Sequence, residues 1–426
     1  MRRAVIVVLD GLRRDLIRAE RTPNLCALAN RAESFARHRS VFVSTTRVAS
    51  ASMATGCHPG RHELQGNEMA LMEAGKLVAH DAGDPEFLQH KRRVTGRSLA
   101  MPTLAERVKP LGGAMVFSNV SPGAAYAQDP DGHGWVFHRA GSFAPSREKL
   151  TDGRHLAVTP DGKGDTAMTT RFIDEALAPG AAALSVLWLG DPDKTQHVSP
   201  LGSPQHLDAL MTADANAGRV FAAVDRMRQA GDDVLLIACS DHGHQTIIES
   251  IDIEAELVAA GLKRAAGSDD VISAPNGTAA LIYADPAQVK SVDALHEFLA
   301  SRHWAGEVVP ADRLADHGQA PLHGLAFAVS MKAVDTENPF GIRGASYVAK
   351  PRAGKPDRAG DGQHGGLAAY EQAPFLMIEG DGFAPGGTRE TPSCVTDIAP
   401  TVIDIAPTVL GHLRLAAEGL DGKSLI

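Results

Sequence analysis

Four strand-like apolar runs, each ending in hydroxyl, acidic or imidazole side chains, constrain this chain more than any other feature. The clearest is Val234-Leu235-Leu236-Ile237-Ala238-Cys239, which runs straight into Ser240-Asp241-His242-Gly243-His244. A continuous apolar run of that length, closed by polar residues, reads as a buried strand of a parallel sheet. The carboxyl edge of such a sheet is where an open α/β fold collects ligands and catalytic groups. Residues 5–9 end in the same manner at Asp10, residues 183–189 precede Asp193 and His197, and residues 41–43 run into Ser44-Thr45-Thr46. A fifth piece, Gln363-His364-Gly365-Gly366, brings another histidine in a glycine-rich loop. An Asp beside a His after one strand is ordinarily a capped loop. Repeated at several strand ends, the pattern suits zinc or a similar divalent ion.

The 426 residues allow two or three domains or one large α/β unit with insertions. A formal charge of −9 argues against a surface that coats nucleic acid or binds an acidic membrane. It leaves a small phosphorylated substrate open, because that is decided locally. Cys26, Cys57, Cys239 and Cys394 are far apart and form no CxxC pair, which reads as reduced thiols in a cytoplasmic protein. No apolar segment reaches the roughly 18 residues of a membrane span. Residues 4–9 are too short for a signal peptide and end in Asp10-Gly11, so they read as a first strand.

Taken in order, Thr22-Pro23 reads as the N-cap and first position of a helix with Leu25, Leu28, Ala29 and Ala32 inward. After a short strand at 41–43, Thr45 or Thr46 opens a helix of small residues that ends at Gly56. That amino terminus favours an anion, although a plain hydroxyl cap is the bland alternative. Asn67 offers an amide to a substrate oxygen. Residues 68–110 read as irregular up to a helix at 102–108, and His90-Lys91-Arg92-Arg93 as a solvated face or a substrate contact. A strand at 114–117 follows, and 124–150 reads as an insertion or cap with little regular structure. Ser203-Pro204 opens a long helix to about Gln229 that completes a strand–helix–strand crossover. Residues 279–283 read as a strand, followed by a helix–strand region to about Met331. Near the end, Asp397-Ile398-Ala399-Pro400-Thr401-Val402 reads as a helix start, with Pro407 bending or ending that helix.

Taken together, Asp10, Thr46, Asp193, His197, Asp241, His242 and His364 make an oxygen and imidazole set large enough for two divalent ions. In this order, with Thr22-Pro23-Asn24-Leu25, Asn67, Pro192-Asp193 and the 397–401 segment, the chain resembles the alkaline phosphatase superfamily. The nucleotide pyrophosphatase/phosphodiesterase and phosphonoacetate hydrolase branches match best, over most of the chain. The resemblance implies a doubly wound, mainly parallel sheet sandwiched by helices, with a smaller inserted subdomain. The expected organisation is one α/β domain over 1–426, an insertion or cap at 68–150 and a smaller α+β subdomain at 260–350. It further implies two divalent ions, zinc or manganese. One would be held by Asp193, His197 and His364, the other by Asp10, Asp241, His242 and the Thr46 oxygen. Thr46 would be the nucleophile of a phosphothreonyl intermediate, with Asn67 and the Arg47 backbone N–H holding a substrate oxygen.

Some residues depart from those branches. Thr45-Thr46-Arg47-Val48-Ala49 stands where the phosphodiesterases usually have Lys-Thr-Phe-Pro-Asn, and Gln196 replaces the glycine before the metal histidine. The Thr46 frame lacks the Cys/Ser-x-Pro-x-Arg of sulfatases. The loop Ser118-Asn119-Val120-Ser121-Pro122 lacks the basic pair of related monoesterases and phosphonoacetate hydrolases. That favours a monoanionic phosphodiester or nucleotide pyrophosphate over a phosphonate or monoester, unless Arg47, residues 91–93 or Arg139 supply the charge. Tyr126, Trp135, Phe137 and Phe143 could wall a nucleoside or simply pack. The expected partner is a small phosphodiester or phosphonate, with no nucleic-acid scaffold and no membrane; self-assembly stays open. A non-catalytic, metal-stabilised binding protein is the alternative of a different class, and the intact nucleophile and ligand set speak against it.

Overall fold

In the first strand, Arg2–Leu9, apolar side chains alternate between two separate cores. Ala4, Ile6 and Val8 enter one, while Val5, Val7 and Leu9 enter the other. The same alternation runs through Leu184–Leu189 and Asp233–Cys239. A strand apolar on both faces can only be satisfied between two layers of helices, which explains why these runs show no polar alternation. The computed structural model describes residues 1–426 except 152, 286, 290, 354–356 and 391–400.

Among the described residues the central sheet has ten strands. Across its middle, Asp233–Cys239, Arg2–Leu9, Leu184–Leu189, Ala114–Ser118 and Trp135–Phe137 lie side by side, all parallel. Leu376–Glu379 joins Asp233–Cys239 antiparallel. One face is covered by Thr46–Thr55, Leu104–Val108 and Ile405–His412. The other is covered by Pro23–Ala29, Gly162–Ala176 and Pro204–Gln229. This is the doubly wound α/β sandwich that the sequence implies. Beside it, Val271–Pro275, Ala279–Ala284, Leu325–Met331 and Ala305–Pro310 form an antiparallel sheet with its own core. A third sheet joins Ala333–Glu337, Arg343–Ala349, Gln245–Ile251 and Gly362–Gln363. Among the described residues no helix is long and apolar enough to cross a membrane.

Several local expectations need correction. Thr22 stands at the N-cap of Pro23–Ala29, but its hydroxyl turns back to the Arg18 carbonyl. The free N–H groups of Asn24 and Leu25 are taken instead by the Asp214 carboxylate, at 3.0 and 2.9 Å. Residues 41–43 are buried but form no strand. Their carbonyls are bonded by side-chain amides, Gln372 to Val41 and Gln319 to Phe42. Residues 68–110 hold a hairpin, Glu68–Glu73 with Lys76–Asp81, and a helix, Phe87–Thr95. Within that helix Lys91 is buried against Glu63, so the basic run is not a wholly solvated face. Residues 135–149 extend the central sheet, with Phe137 stacked on Phe117. Pro407 sits in the first turn of Ile405–His412 without ending it, because an N–H is dispensable there. The 397–400 segment lies outside the described residues; Thr401 caps the turn that follows, in a capping box with Asp404.

Candidate active site

Three parallel strands deliver their following residues to one spot at the carboxyl edge. Asp10 follows Arg2–Leu9, Asp193 opens a single helical turn after Leu184–Leu189, and Asp241-His242 follows Asp233–Cys239. The in-register pairing of these strands sets the three side by side. Gly11 turns the first strand away with φ +68°; a Cβ there would come within 2.9 Å of the His244 ring. Its N–H donates to Asp241 Oδ1 at 3.1 Å.

The fourth contribution comes from the third sheet. Gln245 and Gln363 are antiparallel partners, and this register sets the preceding His244 beside the following His364. Asp193 Oδ1 then lies 3.3 Å from His197 Nε2, 2.7 Å from His244 Nε2 and 3.5 Å from His364 Nε2. In a second group, His242 Nε2 lies 3.4 Å from Asp10 Oδ1 and 3.1 Å from Asp241 Oδ2. The His242 and His364 rings stack at 3.5 Å and join the two groups. Six of the seven residues singled out from the sequence therefore meet, with His244 joining them, and the seventh, Thr46, reaches His242 from the start of the helix Thr46–Thr55.

His244 is the residue that sequence reasoning left out. It lies in the same polar stretch as Asp241 and His242 but enters from the far side, after the chain has turned. Only the strand pairing at Gln245, invisible in the sequence pattern, directs it to Asp193.

The electrostatics fit divalent cations. His364 Nδ1 donates to the Ser44 carbonyl at 2.7 Å and His242 Nδ1 to the Gly243 carbonyl at 3.1 Å, leaving each Nε2 as a lone-pair donor. Asp10 Oδ1 and Asp241 Oδ2 are buried and accept no hydrogen bond from the described residues. Burial raises the Asp10 carboxyl well above the usual range, and Asp241 and Asp193 raise it further. Burial also pushes Asp193 upward, but His197 and His244 together hold it well below the usual range. Burial lowers His244 to about 3 and carries His364 well down, keeping both in the neutral, ligating form. Two facing carboxylates with unpaired oxygens in a dry pocket are costly without a cation between them. The other group, one carboxylate and three imidazoles, has the donor chemistry of zinc.

Thr46 opens the helix Thr46–Thr55, with Thr45 at its N-cap. Its Oγ1 lies 3.1 Å from His242 Nε2. Beside it is a cavity of about 210 Å³ lined by Thr45, Arg47, Asn67, Asp81, His197 and His364, with Glu68 and Asp357 also on its wall. Arg47 is paired with Asp81 at 3.0 Å and bonded to the Asn67 carbonyl at 2.9 Å. The Arg47 backbone N–H, expected to face substrate, points to Asn67 Oδ1 at 3.4 Å. Arg47 is the sole arginine or lysine among the described lining residues. Arg139 is spent on the carbonyls of Asn119 and Val120, Lys91 on Glu63 and Arg92 on Asp131. Of the four aromatic residues offered as a nucleoside wall, none lines this cavity. Trp135 stacks on Phe137, and Tyr126 packs on Phe143.

Fold and strand-edge cluster together define an alkaline-phosphatase-like α/β protein. Residues 4–338 match the profile of the type I phosphodiesterase/nucleotide pyrophosphatase family, and the chain belongs to that family. It is thus a hydrolase of the phosphodiesterase type, from a metal-dependent family. Among solved structures it is similar to murine ectonucleotide pyrophosphatase/phosphodiesterase 5 (TM-score 0.68, 17% identity, 99% of this chain and 98% of that one). An inactive Thr-to-Ala variant of the same mouse protein in complex with AMP matches equally well. No curated protein sequence matches the chain.

Proposed function

We propose that this protein hydrolyses phosphodiesters, nucleotide pyrophosphates included, with Thr46 as the nucleophile. The observation that carries the reading is Thr46 Oγ1 at a helix amino terminus, 3.1 Å from His242 Nε2, with two buried donor groups beside it. Asp193, His197 and His364, joined by His244, would hold one divalent ion, and Asp10, Asp241, His242 and Thr46 the other, with zinc or manganese as candidates. Two such ions supply acidity to the hydroxyl and to water, and neutralise charge on the oxygens at phosphorus.

In the first step the Thr46 oxygen bonds to phosphorus as the bond to the leaving oxygen breaks. The threonine proton is balanced by the proton the departing alcohol or phosphate takes up. Water then cleaves the phosphothreonyl ester and restores the hydroxyl. The helix amino terminus would turn its positive end toward the phosphoryl oxygens. Asn67, oriented by its contact with the Arg47 N–H, offers its Nδ2 to one of them. The inactive Thr-to-Ala variant of the mouse relative, bound to AMP, agrees with a threonine at the centre of the chemistry.

The charge of the cavity supports a diester. Arg47 is opposed there by Asp81 and Glu68, and Asp357 faces His197. That wall suits a phosphoryl group with one negative charge better than a dianion or a phosphonate with an added carboxylate. The three described cysteines are free, as a reducing cytoplasm would keep them. The test compares bis-p-nitrophenyl phosphate, p-nitrophenyl phosphate and phosphonoacetate, on zinc-loaded and chelator-stripped protein, with Thr46→Ala as control. A diester preference of about tenfold or more that needs both zinc and Thr46 is expected. Faster turnover of the monoester or of phosphonoacetate overturns the diester assignment.

A further inference from the structure

A third set of metal-ligating side chains lies outside the site described above. Glu73 ends the strand Glu68–Glu73, His80 lies in its hairpin partner Lys76–Asp81, and His90 lies in the helix Phe87–Thr95. Glu73 Oε1 is 2.5 Å from His80 Nε2 and 2.9 Å from His90 Nε2. The two rings are 4.8 Å apart at an interplanar angle of 40°, and the three donor atoms all lie within 4.8 Å of one another.

We propose that Glu73, His80 and His90 form a separate binding site for a zinc-class divalent ion, which clips the hairpin to the helix. Two Nε2 atoms from two different elements converge on one carboxylate, so that all three donors lie close enough to share one ion. Two imidazoles and one carboxylate are the donor set of open four-coordinate zinc sites. The three side chains keep between 19 and 32% of their surface exposed, so water can fill the fourth position and an ion can enter. His80 is braced by Phe87, whose ring lies 5.7 Å away, so the cluster is held between strand and helix.

The position gives the site a consequence. The hairpin starts next to Asn67 and ends at Asp81, the partner of Arg47, and all three line the substrate cavity. An ion at Glu73, His80 and His90 would tie this hairpin, from its turn at Glu73 to His80 beside Asp81, to the helix behind it. The inference rests on none of the catalytic assignments.

The experiment measures zinc bound per full-length chain, by elemental analysis after dialysis against micromolar zinc. The background is Asp193→Asn/His364→Ala/Asp241→Asn, which leaves each catalytic group only two strong donors. One equivalent is expected to remain there and to weaken at least about tenfold on adding His90→Gln or Glu73→Gln. Hydrogen exchange in the same background is the second readout, since it needs no further variant. Zinc is expected to slow exchange in residues 68–95. No zinc retained in the background, an equivalent indifferent to both added substitutions, or unchanged exchange in 68–95 overturns the proposal and leaves an ion-pair cluster only.

Discussion

Replacing Asp10 by asparagine should stabilise the metal-free protein while crippling the metal-bound one. In the absence of an ion, Asp10 and Asp241 present unpaired carboxylate oxygens to one another in a dry pocket. Their ligating atoms are within 4.8 Å. Two unit charges no farther apart than that repel by at least about 3.5 kcal/mol at an effective dielectric constant near 20. The asparagine oxygen can keep the 2.9 Å bond from Trp188 Nε1, while its NH2 group supplies the donor that Asp241 Oδ2 lacks. With an unfolding entropy near 2.1 cal/mol/K per residue, a gain of ~3.5 kcal/mol raises the melting temperature by about 4 °C. Thermal melts of chelator-stripped protein at pH 8 make the comparison. Asp193→Asn should move in the opposite direction, since His197 and His244 hold that carboxyl charged and its loss leaves them unpaired. Zinc at 1,000 times its dissociation constant should then add about 4 kcal/mol to the wild type and markedly less to Asp10→Asn. If stripped Asp10→Asn melts at or below the stripped wild type, or zinc raises both equally, the reasoning from unpaired buried charge is wrong.

Other outcomes follow from the same geometry. Thr46→Ala should cut turnover by at least ~10³-fold while zinc stoichiometry holds, and Thr46→Ser should retain part of the rate; equal loss in both variants would mean the hydroxyl is not the reacting group. His244→Ala should weaken zinc at the Asp193 group about 10- to 100-fold in a chelator competition, whereas unchanged affinity would reduce His244 to packing. Burial lifts the Glu371 carboxyl from 4.5 to about 7, so the folded protein keeps a proton that the unfolded chain releases. Its contribution is full below pH 4.5 and is lost as pH rises through about 7, a change on the order of 3 kcal/mol. Urea titrations from pH 4.5 to 8 should show that slope, and Glu371→Gln should flatten it. Asp214→Ala should cost about 1–2 kcal/mol by uncapping Pro23–Ala29, measured by urea unfolding with activity intact; a change within ±0.5 kcal/mol would show the cap to be dispensable.

The parts of the site legible in the sequence were those fixed by local chemistry. Six- and seven-residue apolar runs have one place to go in a protein of this size, and Asp10, Asp193, Asp241 and His242 stand where such strands end. Thr46 was legible because Thr45 and Thr46 precede a run of small residues closed by Gly56. What stayed hidden depends on partners far along the chain. Residues 41–43 look like a strand, yet Gln319 and Gln372 take their carbonyls. Lys91 reads as surface because only the fold reveals Glu63 beside it. The aromatic residues at 126–143 could stack on a ligand or on each other, and nothing in their spacing tells which.

The pairing of Gln245 with Gln363 also sets an order in which the site can come into being. A growing chain that has emerged as far as His242 already contains Asp10, Thr46, Asp241 and His242, everything one donor group needs. The other group has Asp193, His197 and His244 but must wait for His364, a further 120 residues of synthesis away (364 − 244). The two donor groups thus have different birth times, and the later one is complete only when the segment of Gln363 pairs with the Gln245 strand. Occupancy of both groups would, in that sense, report that synthesis has passed His364 and that its segment has docked.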